Sequence, residues 1–315
     1  GEYIMDLHLL ENIICIADEK SITKAAEKRF MTQSALNQQL HKLEEELGAP
    51  LFIRARSNWQ LTEAGKVYLN AARQMLLIKK DTYAHIADYA EKNSRHLTVG
   101  LIQERGVEMF TAVYPAFHKA FPHVQVDPVE CRVTQMQRMI SSGQLDLGLA
   151  TLMEQQRDDN IYEVMAEEEI LLAVPVQNPL AKGGSADYRN AKEIQLSRFA
   201  EQPFVRIDQR STLFGVTEPL FRQAGFEPHV LFSTASNLSK YRVAALGLGC
   251  ALLPTTYAEA GEKVVYFRLP QHPHWQVTLC RRKNSYLGKA GRCYMELCRA
   301  YWREKEAQWM ERPIS

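Results

Sequence analysis

The hydrophobic periodicity of this chain changes near residue 95, and that change constrains the fold more than any other feature. Before it, apolar residues recur at three- and four-residue steps, the spacing of helix faces. Leu7, Leu10, Ile14 and Ala17 predict a first helix, and Ile22, Ala25, Ala26 and Phe30 a second. Leu36, Leu40, Leu43 and Leu47 predict a third. Ser21 and Thr32 stand where side-chain oxygens cap the second and third helices, and Gly48 where a helix ends at positive φ. Residues 50–61 read as strand, turn, strand, with Ser57-Asn58 as the turn. From Thr62 a proline-free helix is predicted to about Lys92. Its residues Leu69, Ala72, Leu76, Lys79, Tyr83, Ile86 and Ala90 form a heptad seam broken by Lys79, which suits pairing with another helix. One helix packed on its own domain gives the same pattern.

After residue 95, strand-like runs alternate with amphipathic stretches. The runs are 96–102, 125–132, 145–151, 170–175, 204–208, 230–234, 250–253, 264–269 and 276–280. Stretches such as 107–121 and 238–246 lie between them, and the polar segment 177–187 reads as a surface loop. This alternation predicts α/β units with mainly parallel sheets. Two domains of different architecture follow, as a length of 315 residues already suggests.

Composition excludes some classes. No run reaches the roughly 18 apolar residues that span a bilayer, so no membrane association is expected. Residues 1–5 show no basic region before an apolar block, and a cytoplasmic protein is expected. Cys15, Cys131, Cys250, Cys280, Cys293 and Cys298 form no C-x-x-C pair and no zinc-ligand spacing. They read as reduced, packed thiols, with Cys131 as the one candidate for redox sensing. A net charge of +1 does not by itself point to nucleic acid.

Local features do. Three short helices followed by a strand-turn-strand are the parts of a winged helix-turn-helix, whose third helix fits the DNA major groove. The polar face of that helix carries Gln33, Ser34, Asn37, Gln38 and His41, with Thr32 at its start. Asn and Gln can pair bidentately with adenine. Arg54 and Arg56 lie in the wing, where guanidinium groups suit phosphate or a narrow minor groove, and Lys24, Lys28, Arg29 and Lys42 could add backbone contacts. A merely solvated polar face carries the same residues. Glu44, Glu45 and Glu46 put negative charge at the far end, tolerable if only the N-terminal half approaches DNA.

The order Ser21-Ile22-Thr23-Lys24-Ala25-Ala26-Glu27, Thr32-Gln33-Ser34-Ala35-Leu36, Gln39-Leu40, then 42–54 and Leu61-Thr62-Glu63-Ala64-Gly65 closely resembles the N-terminal pattern of LysR-type transcriptional regulators. The resemblance covers about sixty residues in consistent spacing. It implies that Thr32, Gln33, Ser34, Asn37 and Gln38 read double-stranded operator DNA, with Arg54 and Arg56 in the wing. It also implies that residues 62–92 are a linker helix pairing subunits into a homodimer or homotetramer. Many members have proline where this chain has Ser34, serine near Asn37 and a basic residue at Gln38, so the operator sequence is not legible.

The likeness continues through 117–122, 143–150 and 245–254. It implies a two-lobed, periplasmic-binding-protein-like effector domain, with one lobe from 95–165 and 270–315 and the other from 166–269. Ligands in such lobes sit beyond strand ends, at helix N-termini. The expected pocket therefore gathers Gln103, Arg105, Arg132, Thr134, Asp208, Arg210, Ser211, Thr212, Thr234 and Ser236. Arg105, Arg132, Arg206 and Arg210 could fork onto a carboxylate or phosphate, though each taken alone better suits a surface ion pair. At least one of Arg132 and Arg210 is expected to face the cleft. Members often carry a small hydroxyl residue where this chain has Gln103-Glu104-Arg105.

The function implied is a sequence-specific regulator controlled by a small anionic metabolite, with RNA polymerase as a further partner and no resident cofactor or metal. A small-molecule-binding protein that never reads DNA is the alternative. An enzyme with an accessory winged helix is a third, but no G-x-S-x-G, H-E-x-x-H or P-loop pattern occurs.

Overall fold

The computed structural model describes residues 6–54, 58–89 and 96–310, in two compact units, Gly1–Ala90 and Glu91–Ser315. Arg56, Ser57, Ala90 and residues 91–92 of the predicted long helix lie outside the described residues.

The first unit contains α1 (Leu7–Glu19), α2 (Ile22–Lys28), α3 (Gln33–Leu47), the antiparallel pair β1 (Phe52–Ile53) and β2 (Gln60–Leu61), and α4 (Glu63–Tyr89). Local chemistry sets the boundaries. Ser21 Oγ accepts from the Lys24 amide at 3.4 Å, Thr32 Oγ1 from Ala35 at 3.2 Å, and Thr62 Oγ1 from Gly65 at 2.9 Å. Gly48 ends α3 with φ 66°. Ile13, Ile16, Ala25, Leu36, Leu40 and Leu51 are buried together. At Gly65 a Cβ would stand 2.0 Å from the Leu51 carbonyl oxygen, so only glycine lets α4 start against the wing.

Phe30 departs from its expected place on the second helix's apolar face. That helix stops at Lys28, and Phe30 takes φ 54° with 97% of its surface exposed. The amides of Phe30 and Met31 close onto the Glu27 and Ala26 carbonyls, so the turn aims Phe30 outward while Met31 packs inward. Leu47, in the last turn of α3, is also exposed. Along α4, Leu69 and Ala72 are buried, whereas Tyr83 and Ile86 face solvent.

The second unit runs β3 (His96–Leu101), α5 (Arg105–Ala120), β4 (Gln125–Glu130), α6 (Val133–Ser141), β5 (Leu147–Leu152), β6 (Ile161–Pro175), β7 (Lys192–Glu193), β8 (Pro203–Ile207), α7 (Thr212–Gln223), β9 (His229–Thr234), α8 (Asn237–Ala245), β10 (Ala251–Pro254), β11 (Val264–Arg268), β12 (His274–Arg281) and α9 (Lys289–Met310). Strand β6 belongs to two lobes. Its first part, to Glu169, pairs with β12, which continues through β5 and β3 to β4. From Ile170 it pairs instead with β10 and β11. The parallel pair β8–β9 joins this second lobe through a bridge between Phe204 and Cys250. Each lobe has its own core, one around Val99, Phe117, Leu149 and Tyr294, the other around Leu172, Phe199, Phe204 and Leu252.

The expectation of mainly parallel sheets is corrected: the sheets are mixed. β3–β4, β3–β5 and β8–β9 are parallel, but β12 runs antiparallel to both β5 and β6. After β11 the chain re-enters the first lobe directly, without a crossover helix, and so approaches from the opposite strand end.

Candidate functional site

On the first unit, α3 presents Gln33, Ser34 and Gln38 as exposed side chains beyond the Thr32 cap, with Asn37 half-buried. Gln33 Oε1 accepts from Thr23 Oγ1 at 3.3 Å, which ties the helix start to α2. Arg29, expected among the backbone-contacting cations, is instead bound at 2.7 Å to Asn12 Oδ1 and 2.8 Å to Glu11. Asn12 in turn donates to Gln39 Oε1 at 2.8 Å, so this network braces α1, α2 and α3. Lys28 pairs with Glu19 at 2.6 Å on the surface, and Lys24 and Lys42 are exposed.

The acidic end of α3 also has a structural use. Glu44 accepts from the Leu51 and Phe52 amides at 2.7 and 3.3 Å and from Arg54 at 2.6 Å. Its charge therefore anchors the wing, and Arg54 stacks 5.6 Å over the Trp59 ring. Arg56 lies outside the described residues.

The second unit holds a cavity of about 310 Å³ between its lobes. The opening residues of four helices line it: Arg105 of α5, Val133 of α6, Thr212 of α7 and Asn237 of α8. Helix N-termini carry free N–H groups and partial positive charge, so their convergence favours an anion. Gln103, Arg132, Asp208, Arg210 and Ser211 also line the cavity. Arg210 donates to both Asp208 oxygens, at 3.0 and 2.8 Å, and Arg132 Nη1 approaches the same carboxylate at 3.5 Å. The hydrogen bonds from Arg210, with both positive charges, hold Asp208 far below the usual carboxylate range. Two guanidinium groups thus share the Asp208 carboxylate, and Glu130 lines the same cavity. Thr212 Oγ1 donates at 2.6 Å to the Thr151 carbonyl of the other lobe.

Arg105 lines the cavity as expected, yet it is no free anion hook. It pairs with Glu168, and the two side chains are 2% and 0% exposed. Trp275 Nε1 donates to Glu168 at 2.9 Å, Arg105 donates to Thr256 Oγ1 at 2.9 Å, and the Tyr257, Trp275 and Trp302 rings surround the guanidinium. Burial opposes its charge, and the Glu168 carboxylate more than restores it. Arg206 is bound to Glu218 over the Phe214 ring and is not among the residues lining the cavity. Thr134, Thr234 and Ser236 do not line it either. Thr134 points to solvent from α6, Thr234 Oγ1 accepts from the Ser236 amide at 3.1 Å, and Ser236 caps α8. Glu104, Glu130, Gln135, Thr151, Tyr257 and Trp275 also stand in the wall. Glu104 falls within the expected stretch 102–105, whereas Glu130, Gln135, Thr151, Tyr257 and Trp275 were not expected, because the fold brings them in from other strands and turns.

Residues 7–66 match the family model described as bacterial regulatory helix-turn-helix protein, lysR family, and residues 90–303 match the LysR substrate binding domain. The chain belongs to the LysR family. As a LysR-type transcriptional regulator it joins a DNA-binding domain to an effector-binding domain. It is 25% identical over 306 residues, 94% of each chain, to the uncharacterized HTH-type transcriptional regulator YcgK of Bacillus subtilis. It is 26% identical over 252 residues to the Hca operon transcriptional activator HcaR of Escherichia coli, covering 79% of this chain and 82% of HcaR. Its fold matches a full-length OxyR variant from Pseudomonas aeruginosa with a TM-score of 0.66 at 20% identity, over 95% of this chain and 98% of that one.

In this LysR-type regulator Cys131 is buried beside the cavity, and burial pushes its thiol up, away from reactive thiolate. Among the described residues no group of three His, Cys, Asp or Glu is placed to hold a metal ion. No described helix is long and apolar enough to cross a membrane.

Proposed function

We propose that this LysR-type regulator is controlled by a small metabolite bearing a carboxylate or phosphate, bound in the interlobe cavity. The convergence of four helix N-termini on one cavity carries this reading. Arg132 and Arg210 supply exposed guanidinium groups at its rim, and Asp208 keeps them positioned until a ligand anion competes for them. Tyr257 and Trp275 line the cavity and supply apolar surface for the ligand's non-polar part.

The protein acts by binding rather than catalysis and needs no resident cofactor. It works in the cytoplasm as a dimer or tetramer on operator DNA. The effector shifts lobe closure, hence the placement of the DNA-binding pairs and their contact with RNA polymerase. It can do so only by its difference in affinity for the two arrangements.

A thermal-shift screen of the full chain against small carboxylates and phosphates tests this. A saturable rise in melting temperature, reduced in Arg132→Ala and Arg210→Ala, is the expected result. Binding confined to cationic or strictly apolar compounds refutes it.

A further inference from the structure

Glu104 immediately precedes α5 with φ 61° and ψ −82°, a backbone conformation that L side chains rarely adopt. Its side chain caps no amide of that helix. Instead its carboxylate reaches the second lobe, where it accepts from Ser236 Oγ, and its charge also acts on the Tyr257 hydroxyl, which burial chiefly pushes up. One turn along α8 lies Lys240, 1% exposed, whose ammonium donates to Asn237 Oδ1 at 3.0 Å. Burial brings that ammonium down to about 7, and the field of Glu104 opposes the fall.

The Ser236 hydroxyl binds this carboxylate, and Tyr257 and the buried Lys240 stand near enough to feel its charge. Strained residues persist where their surroundings over-determine them, and strain of this kind clusters at ligand clamps and switches. We propose that the Ser236–Tyr257–Lys240 corner is a carboxylate-binding site, which the chain fills with its own Glu104 and so clasps the two lobes. A carboxylate effector enters that corner by displacing Glu104, a step that rests on the reading of the cleft given above. The exchange conserves charge: one carboxylate leaves the donors and another takes its place. The tethered carboxylate lowers the effector's apparent affinity by the fraction of time it occupies the corner.

Glu104→Gly tests the proposal in the full chain, because glycine accepts the positive φ and removes the carboxylate. Acetate and propionate are the probes, with chloride at equal ionic strength and methylammonium as controls. The variant is expected to bind acetate at least about tenfold more tightly than the native protein, with a saturable rise in melting temperature. Adding Ser236→Ala should abolish that gain, and neither control should produce it. Equal acetate affinity in variant and native protein, or an equal response to chloride, overturns the proposal. Glu104→Gln, which retains the side-chain length, gives a second reading should the glycine variant not fold. An acetate response no larger than that of the native protein then overturns it. Arg132→Ala and Arg210→Ala, in the Asp208 cluster, should lower acetate binding equally with and without Glu104, so that the ratio between the two persists. A metabolite panel without any binder therefore defeats the reading of the cleft, while the acetate gain still decides the corner.

Discussion

Arg105 and Glu168, 63 residues apart in the chain, form an ion pair with almost no exposure beside the interlobe cavity. Removing one partner leaves an uncompensated buried charge. Arg105→Ala or Glu168→Ala is expected to cost about 3–5 kcal/mol in chemical denaturation. The double substitution Arg105→Met with Glu168→Leu should recover much of that loss. Single losses below about 1 kcal/mol, the value of a surface pair, contradict the assignment.

The exposed face of α3 and the wing should separate under mutation. Arg54 of the wing is held by Glu44 and Trp59, and a phosphate-contacting role for it predicts a sequence-independent effect. Arg54→Ala should weaken binding to all duplexes and reduce the salt slope by about one. Gln33→Ala should instead relax base preference at one position by about 1–3 kcal/mol. Equal loss on operator and random DNA for Gln33→Ala would refute its reading role.

Phe30 occupies the left-handed region with its ring in solvent, a conformation costing a bulky residue about 1–2 kcal/mol. Phe30→Asn should therefore raise stability by about 0.5–1 kcal/mol, since Asn adopts positive φ more readily. A clear drop in melting temperature shows that the ring has a packing partner.

His272 titrates under unusual constraint. Its ring nitrogens face Glu169 Oε1 at 2.9 Å and Glu193 Oε1 at 3.0 Å, and carboxylates only accept, so the arrangement fits the imidazolium. Arg268 also binds Glu169 at 3.2 Å, and His274 Nδ1 lies 3.2 Å from the His272 carbonyl. Hydrogen bonds to the two glutamates raise the His272 pKa above its ordinary value. Its contribution is thus complete below the unfolded pKa, about 6.5, and is lost as pH rises through the raised folded value. Melting temperature should fall with pH above about 6.5 in the native chain, and His272→Gln should flatten that part of the profile. An identical profile in the variant rules out the clip.

Some of this was legible because it depends on neighbours in the chain. Ser21, Thr32 and Gly48 mark helix ends through hydrogen bonds and φ preferences that reach only three or four residues. The strand and helix periods, and with them the two architectures, are local in the same sense. Phe30 shows the limit: its apolar character suited a helix face, yet the short turn that lifts Met31 into the core points it outward.

The roles of the arginines were not local. Arg105, Arg132, Arg206 and Arg210 look alike in sequence as anion hooks. Arg105 is neutralised by Glu168, Arg206 by Glu218, and only Arg132 and Arg210 stand at the cavity rim around Asp208. A guanidinium's availability depends on which carboxylate the fold brings within bonding distance, and these partners lie 2, 12, 63 and 76 residues away. Likewise the antiparallel course of β12 follows from where the chain re-enters the first lobe, and the reach of Glu104 across to the second lobe from the Ser236 hydroxyl that meets it there. The sequence by itself determined the elements, their ends and the family. Tertiary structure decided which charges are buried in pairs and which stay exposed at the cavity rim, because electrostatic pairing and desolvation depend on distance through space.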